Sequence, residues 1–197
     1  MEIKHAIKER RSIRSYKDDP VPREIVEKVI DAATMAPSTL NAQPWLFTVL
    51  TGKKRLEAIA LIKKSSLYME EALSLVPEGE KDKIKNHLKK EPSRIERFFS
   101  DLGGAPVLIV VTMPMIDDWT SRKMGIISCG AAIQNLMLAA YNEGLGTCCV
   151  GSSLWVEDAL MEMLGIKDHR LITTIALGYS AEEPKPTPRK KDVINWV

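Results

Sequence analysis

The sequence predicts one domain in which helices cover a β-sheet, an α+β or α/β sandwich. Three observations support this fold class. The chain has 197 residues, 45% of them hydrophobic and 27% charged, which is ordinary for one globular domain that buries its own core. Runs rich in β-formers alternate with stretches of helical periodicity. The sequence contains neither an internal repeat nor a domain-sized linker.

The N-terminal third of the chain predicts two helices, a strand and a third helix. Residues 3–9 suit a short helix. A second, amphipathic helix follows Pro22, which fits a first helical turn, and ends before Pro37, because a residue that precedes proline is disfavoured in the helical region. Residues 45–51 predict a strand, and residues 53–63 predict a helix. The apolar positions of the second helix recur at helical spacing: Ile25, Val26, Val29, Ile30 and Ala33.

The middle of the chain, from about residue 65 to residue 100, is rich in lysine and glutamate and is broken by prolines. We interpret it as surface helices, an insertion or lid within the single domain that spans residues 1–197. The elements predicted beyond it are a strand over 105–112, a helix over 121–142, a strand over 145–150, a helix over 155–164 and a strand over 171–177. The first of these strands is continuously apolar and should be fully buried. The tail from Pro184 to Lys191 has too many prolines for a helix and predicts an extended arm.

The predicted helix over 121–142 is the longest in the chain. Its half from Cys129 to Ala140 is apolar nearly all round. Such a helix needs cover on every side. In a domain of this size a subunit interface is a natural source of that cover, so the helix indicates a homodimer.

Composition excludes several classes of partner. The formal net charge is +2, too small an excess for a typical nucleic-acid-binding protein or for tight binding to anionic membranes. The longest apolar stretch, from Met124 to Ala140, is short and carries polar residues, which argues against a membrane span. The first residues carry charges where a signal peptide has its apolar core. We therefore expect a cytoplasmic protein.

The three cysteines, Cys129, Cys148 and Cys149, form no CxxC motif. An odd number, with two adjacent, is typical of reduced thiols. We expect all three to be small buried hydrophobic residues.

Several common catalytic sites are missing from the sequence. There is no P-loop, HExxH motif or GxSxG elbow. Gly144, Gly146 and Gly151 do not form a dinucleotide-binding fingerprint, because the first two lie at the start of the predicted strand and not after one, and the third is displaced by two positions. The three histidines are too far apart to suggest a zinc site. We predict no metal and no catalytic side chain, and expect the chemistry to come from an organic cofactor.

The segment from Arg10 to Arg14 places three guanidinium groups and one hydroxyl within five residues. Arginine side chains match phosphate oxygens with paired hydrogen bonds, and a serine hydroxyl adds a donor. This pattern is typical of a phosphate site, although a solvated basic turn has the same composition.

A polar loop from Ala36 to Trp45 follows the second helix. Its hydroxyls, the amides of Asn41 and Gln43 and its main-chain N–H groups suit the polar edge of a flat heterocycle. A plain polar connection between a helix and a strand is the alternative.

Together these segments resemble the nitroreductase family. The resemblance lies in blocks that occur in the family's order and covers roughly residues 1–60 and 105–197. The blocks are Arg10–Tyr16, Ala36–Trp45, Gly130–Ala140, Gly144–Gly146, Gly151–Ser153 and Ile175–Tyr179. Each block alone is a weak signal, but their order and spacing make a strong one.

The resemblance implies a three-layer α-β-α sandwich with a mixed, mainly antiparallel sheet. It also implies a homodimer formed through the long central helix, with two FMN molecules at the interface. NADH or NADPH would be the co-substrate. No separate side chain acts as catalyst in such an enzyme, because the cofactor carries the chemistry.

The resemblance also implies the residues that bind FMN. The basic segment, with a basic residue of the C-terminal arm, would bind the phosphate. The polar loop would reach the flavin from the other subunit, and the turn after residue 149 would offer a main-chain N–H to flavin N5. The implied residues are Arg10, Arg11, Ser12, Arg14, Ser38, Thr39, Asn41, Val150, Gly151, Ser152 and Arg189, with Lys191 as the alternative in the arm.

Two departures from the family pattern concern the flavin. The N5 turn reads Cys149-Val-Gly-Ser152 where many members have Pro-Ile-Glu-Gly or Pro-Ile-Gly-Gly. The acidic side chain of some relatives is therefore missing, but a main-chain donor remains. We find no match for the family's Asn and Lys at the pyrimidine edge, and Arg94 or Arg97 are possible substitutes.

The reaction implied is hydride transfer from NAD(P)H through FMN to a nitroaromatic, a quinone or a similar small-molecule acceptor, with ping-pong kinetics. The alternatives are specialised flavin chemistry on the same fold (reductive dehalogenation or flavin breakdown), a non-catalytic FMN carrier or sensor, and an interaction protein that has lost its cofactor.

Overall fold

The computed structural model describes residues 2–65, 79, 98–191 and 193–197. The predicted insertion at 65–100, with Arg94 and Arg97, lies almost entirely outside these residues. The order and type of every other predicted element are confirmed. The described helices and strands are α1 (Ile3–Glu9), α2 (Arg23–Thr34), β1 (Leu46–Leu50), α3 (Gly52–Lys63), β2 (Val107–Pro114), α4 (Trp119–Asn142), β3 (Gly146–Val150), α5 (Glu157–Leu164) and β4 (His169–Gly178).

The four described strands form one sheet in the order β1-β2-β4-β3, and every neighbouring pair is antiparallel. Ile109 of β2 lies opposite Ile175 of β4 at the centre of the sheet. A parallel bridge joins Ser12 to Thr147 of β3, so one parallel pairing accompanies the antiparallel strands. The N-terminal segment is thereby attached to an edge of the sheet.

Strand β2 separates two hydrophobic cores. Leu108 and Val110 pack into the core shared with α3 and α5, whereas Val107, Ile109 and Val111 pack into the core shared with α2 and α4. Successive side chains of a strand point to opposite faces, and helices cover both faces here. This explains the continuously apolar sequence of β2 and confirms a three-layer sandwich.

Helix α4 begins at a cap in which the Asp118 carboxylate accepts a hydrogen bond from the Ser121 N–H at 2.7 Å. Its length and composition would suit a membrane span, but residues at intervals from Gly125 to Ala140 are buried within the chain, and the helix packs against α2 and the sheet. Its large exposed apolar side chains are Trp119, Met124, Ile126 and Ile127.

These exposed side chains precede the half of α4, from Cys129 to Ala140, that we expected to need a partner. That half is largely covered within the chain, and Leu136 is fully buried. The homodimer therefore stays a prediction.

The cysteine prediction is wrong for one residue. Cys129 and Cys148 are buried, whereas Cys149 is exposed. Adjacent residues of a strand face opposite sides, and β3 is an edge strand, so its two cysteines cannot share one environment. Burial raises the pKa of the Cys129 and Cys148 thiols to about 11.

Candidate functional site

The segment that carries the predicted phosphate ligands is fixed by main-chain bonds. The Ile13 N–H donates to the Thr147 carbonyl at 3.0 Å, and the Tyr16 N–H donates to the Gly103 carbonyl at 2.9 Å. The side chains of Ile13 and Tyr16 are buried in the core beneath α3 and α5. Because these two residues point inward, Arg14 is left exposed between them.

Tyr16 anchors this segment through its side chain as well. Its hydroxyl donates to the Ile13 carbonyl at 2.7 Å and lies 3.2 Å from the Ala176 carbonyl. Burial, with the charges of Cys148 and Glu182, raises the pKa of the Tyr16 hydroxyl well above its usual value. The phenol thus remains a proton donor at all ordinary pH values.

Two glycines let the backbone approach this closely. A Cβ on Gly146 would lie 2.6 Å from Cγ1 of Ile13, and a Cβ on Gly103 would lie 2.2 Å from the carbonyl oxygen of Arg14. Gly103 also has a φ of +68°, which L-residues with side chains rarely adopt. The position of the Arg14 main chain therefore requires a residue without a side chain at position 103.

The predicted phosphate ligands and the C-terminal arm line one crevice of about 690 Å³. Five of its side chains are cationic and two are carboxylates, so the crevice favours an anion. The lining residues are Arg10, Arg11, Ser12, Arg14, Glu182, Glu183, Pro184, Lys185, Thr187 and Arg189.

The arm contributes Arg189 to this crevice, and Lys191 does not line it. The Arg189 guanidinium donates to the Thr187 hydroxyl at 2.9 Å. Sequence reasoning missed Glu182, Lys185 and Thr187. The alternation of basic and hydroxyl residues with prolines in the arm was the available signal for the last two, because an extended chain sends alternate side chains to the same side.

Arg11 has a structural task beside the crevice. Its Nη1 donates to the carbonyls of Lys8 at 2.5 Å and Arg10 at 2.9 Å, and its Nη2 lies 3.9 Å from the Glu9 carboxylate. These bonds satisfy carbonyls at the C-terminus of α1. Within the part of the chain that the structure describes, the guanidinium groups of Arg10 and Arg14 form no hydrogen bond, so they are better placed than Arg11 to bind an anion.

The predicted N5 turn lies where β3 ends. Gly151 begins a 3-10 helix, Gly151–Val156, and space is open around its α-carbon. The hydroxyl oxygen of Ser152 is buried without a hydrogen-bond partner among the described residues. An orphaned buried hydroxyl calls for an explanation, and a polar ligand atom beside this turn would supply one.

The polar loop lies against α4, and its residues do not line the crevice. The Thr39 N–H donates weakly to the Ser128 hydroxyl at 3.4 Å, and the Gln43 side-chain amide donates to the Asn41 side-chain oxygen at 3.1 Å. Leu40 is 97% exposed and, like Asn41 and Gln43, has a positive φ. Backbone strain of this kind is concentrated at functional sites.

The predicted site therefore falls into separate parts within one chain. The structure brings Arg10, Arg11, Ser12, Arg14 and Arg189 together, but it places Ser38, Thr39 and Asn41 elsewhere on the surface. Val150 ends β3, the strand to which Ser12 is bridged, and Gly151 and Ser152 follow it. No group of three or more metal-ligating side chains occurs among the described residues.

The chain is similar to known proteins in sequence and in fold. The sequence profile of the nitroreductase family matches residues 7–179. A 4-nitrobenzoate reductase of Nocardioides sp. strain LMS-CY is 32% identical over 206 residues, which cover 90% of this chain and 81% of that protein.

Two solved structures share the fold. An FMN and NADPH-dependent nitroreductase, NfnB, from Sphigopyxis sp. strain HMH superimposes with a TM-score of 0.83 at 24% identity, covering 100% of this chain and 99% of its own. A BluB-like flavoprotein from Clostridium difficile 630 has a TM-score of 0.75 at 26% identity, with coverage of 100% and 99%.

Proposed function

Because the chain belongs to the nitroreductase family, we propose that it is an FMN-dependent oxidoreductase that takes hydride from NADH or NADPH and passes it to a nitroaromatic, a quinone or a similar small acceptor. The observation that carries the proposal is the cationic crevice in which Arg10, Ser12, Arg14 and Arg189 meet. Its cations suit a phosphate monoester, the one group that distinguishes FMN from riboflavin.

The roles of the crevice residues follow from their donors. Arg10 and Arg14 present guanidinium groups that form no hydrogen bond within the described chain, and such groups bind phosphate oxygens with paired, charge-assisted bonds. Ser12 adds a hydroxyl donor. Arg189 approaches from the arm and brings a further positive charge, while Arg11 supports the site by capping α1.

The flavin ring system requires a second set of residues. The turn at Val150, Gly151 and Ser152 offers main-chain N–H groups for flavin N5. The Ser152 hydroxyl, which has no hydrogen-bond partner among the described residues, offers a further polar contact. When bound, FMN supplies the hydride chemistry. The protein's tasks are to anchor the phosphate, to orient the ring and to leave one face open to both substrates in turn.

We propose that a second copy of the chain completes the site. Ser38, Thr39 and Asn41 lie outside the crevice of their own chain but beside α4, whose Met124, Ile126 and Ile127 are exposed. A homodimer formed through this face of α4 buries those side chains and brings the polar loop of one subunit to the flavin of the other. We place the enzyme in the cytoplasm, which agrees with its free cysteines.

The decisive experiment combines cofactor release with rapid mixing. The purified protein should be yellow and should release one FMN per subunit on denaturation. Mixed anaerobically with NADH or NADPH, it should bleach, and 4-nitrobenzoate or a quinone should restore the colour. Protein that is colourless and takes up no added FMN would overturn the proposal, whereas bound FMN that neither nucleotide bleaches would favour a carrier or sensor.

A further inference from the structure

The root of the C-terminal arm runs antiparallel to the arginine segment. The Lys17 N–H donates to the Tyr179 carbonyl and the Ala181 N–H donates to the Ser15 carbonyl, both at 2.9 Å. These two bonds flank the bridge between Tyr16 and Ser180. The two ends of the chain are thus joined in a short ladder directly beside the crevice.

The main-chain hydrogen bonds between the two segments end before Arg14, and a side chain of the arm makes the next contact. The neighbouring Ile13 N–H turns to Thr147 on the sheet edge, so the main chain of the arm is not matched to this stretch. The Arg14 N–H donates instead to Oε1 of Glu182 at 2.5 Å. Backbone N–H groups need an acceptor, and here a carboxylate supplies it.

Glu182 is itself held firmly. Its N–H donates to the Ser180 hydroxyl at 3.2 Å, and that hydroxyl donates to the Glu182 carbonyl at 2.6 Å. The carboxylate therefore extends from a fixed turn to a fixed point on the arginine segment. It links the two segments that line the crevice, the arginine segment and the arm.

A carboxylate in this place opposes the charge of the crevice. Glu182 lines the same cavity as Arg10, Arg14 and Arg189, and a negative charge there repels a phosphate. A residue that only tuned charge would weaken the site. Its contact with the Arg14 main chain gives it a different use.

We propose that Glu182 is a positioning residue for the cofactor phosphate. Its carboxylate fixes the main chain at Arg14, and this contact sets the direction in which the Arg14 guanidinium and the adjoining Ser12 hydroxyl face the crevice. The inference rests on the proposed FMN site and adds to it a residue that acts through Arg14.

Two substitutions separate the hydrogen bond from the charge. E182Q removes the charge and keeps a side-chain oxygen that accepts the Arg14 N–H. E182A removes both. Glu183, which is exposed and lines the same crevice, provides the matched control, because E183Q and E183A make the same two chemical changes one residue away.

The measurement is the ratio of riboflavin to FMN dissociation constants, determined by fluorescence titration of the full-length apoprotein. This ratio isolates the phosphate contribution from flavin-ring binding and from general stability. We expect the ratio for E182Q to be at least that of the wild type and up to a few fold higher, because the repulsion between the Glu182 carboxylate and the phosphate is removed. The ratio for E182A should be about fivefold below that of E182Q, the equivalent of one net hydrogen bond. E183Q and E183A should give equal ratios.

The proposal is overturned if E182Q and E182A change the ratio equally, in either direction or not at all. A ratio that separates the Glu183 variants as widely as the Glu182 variants would overturn it too, since the effect would then not depend on the Arg14 contact. A wild type that binds neither flavin, or both equally, would instead refute the proposed FMN site, so the two failures are distinguishable.

Discussion

Replacing Gly103 by alanine should destabilise the fold and weaken FMN binding together. The added Cβ would lie 2.2 Å from the Arg14 carbonyl oxygen and 2.7 Å from its carbonyl carbon. Both are main-chain atoms, so no rotamer change relieves the overlap. The carbonyl oxygen of Gly103 itself accepts a hydrogen bond from the Tyr16 N–H. Any shift of residue 103 therefore moves the arginine segment.

The size of the effect follows from two separable costs. An alanine in the left-handed region costs about 1–2 kcal/mol, and forcing extra volume into a packed place costs typically about 1–3 kcal/mol more. Gly165 is the matched control: its φ is +66° against +68° for Gly103, but no atom lies within 4 Å of its added Cβ. Gly165→Ala should cost about 1–2 kcal/mol and Gly103→Ala about 2–5 kcal/mol.

Urea unfolding of both variants, followed by tryptophan fluorescence, measures the difference in free energy of unfolding. Titration of each apoprotein with FMN and with riboflavin shows whether the phosphate site has moved. We expect only Gly103→Ala to lose preference for FMN. Destabilisation of the two variants to within about 0.5 kcal/mol, the usual spread of neutral surface changes, would refute the argument from close approach.

Three further predictions concern the site and the core. Arg14→Ala should weaken FMN binding about ten- to a hundred-fold, because a charge-assisted contact is worth roughly 1.5–3 kcal/mol; Arg23→Ala on exposed α2 is the control, and an equal dissociation constant in both would remove Arg14 from the site. The free energy of unfolding should fall as the pH rises from about 9 to 11, by up to about 1.4 kcal/mol per unit for each buried thiol. The reason is that Cys129 and Cys148 keep their protons to about pH 11 when folded, while their ordinary pKa is 9.0. Urea unfolding at several pH values should show that the free energy of unfolding of Cys148→Ala falls less steeply with pH than that of the wild type, and an equally steep fall would contradict the assignment. Double-reciprocal plots at several acceptor concentrations should give parallel lines if both substrates use one flavin face in turn, whereas intersecting lines would indicate a ternary complex and a different mechanism.

The elements of the fold were predictable because their signals are local. The helical spacing of Val26, Val29 and Ala33 matches the buried face of α2, and the apolar run of β2 reflects cover on both faces. The exposure of Cys149 was not predictable from composition, since it depends on β3 lying at the edge of the sheet. A strand's place in its sheet is set by pairings with distant residues.

The same distinction applies to the site. Arg10, Ser12 and Arg14 were predictable as a group because they are close in sequence, and the arm's basic residue came only from family resemblance. Glu182 carried no sequence signal, because its role depends on a contact with a residue 168 positions away. Arg11 looked like its neighbours, and only its bonds to carbonyls at the end of α1 show a different task.

The crevice joins residues from the two ends of the chain, and this has a consequence for biosynthesis. A ribosome completes Arg10 to Arg14 long before Arg189, so a nascent chain cannot form the whole crevice until Arg189 has been synthesised. A ligand that binds only the folded state stabilises that state alone. If the crevice binds the FMN phosphate as proposed, FMN therefore binds only those chains in which the arginine segment and the arm have already come together.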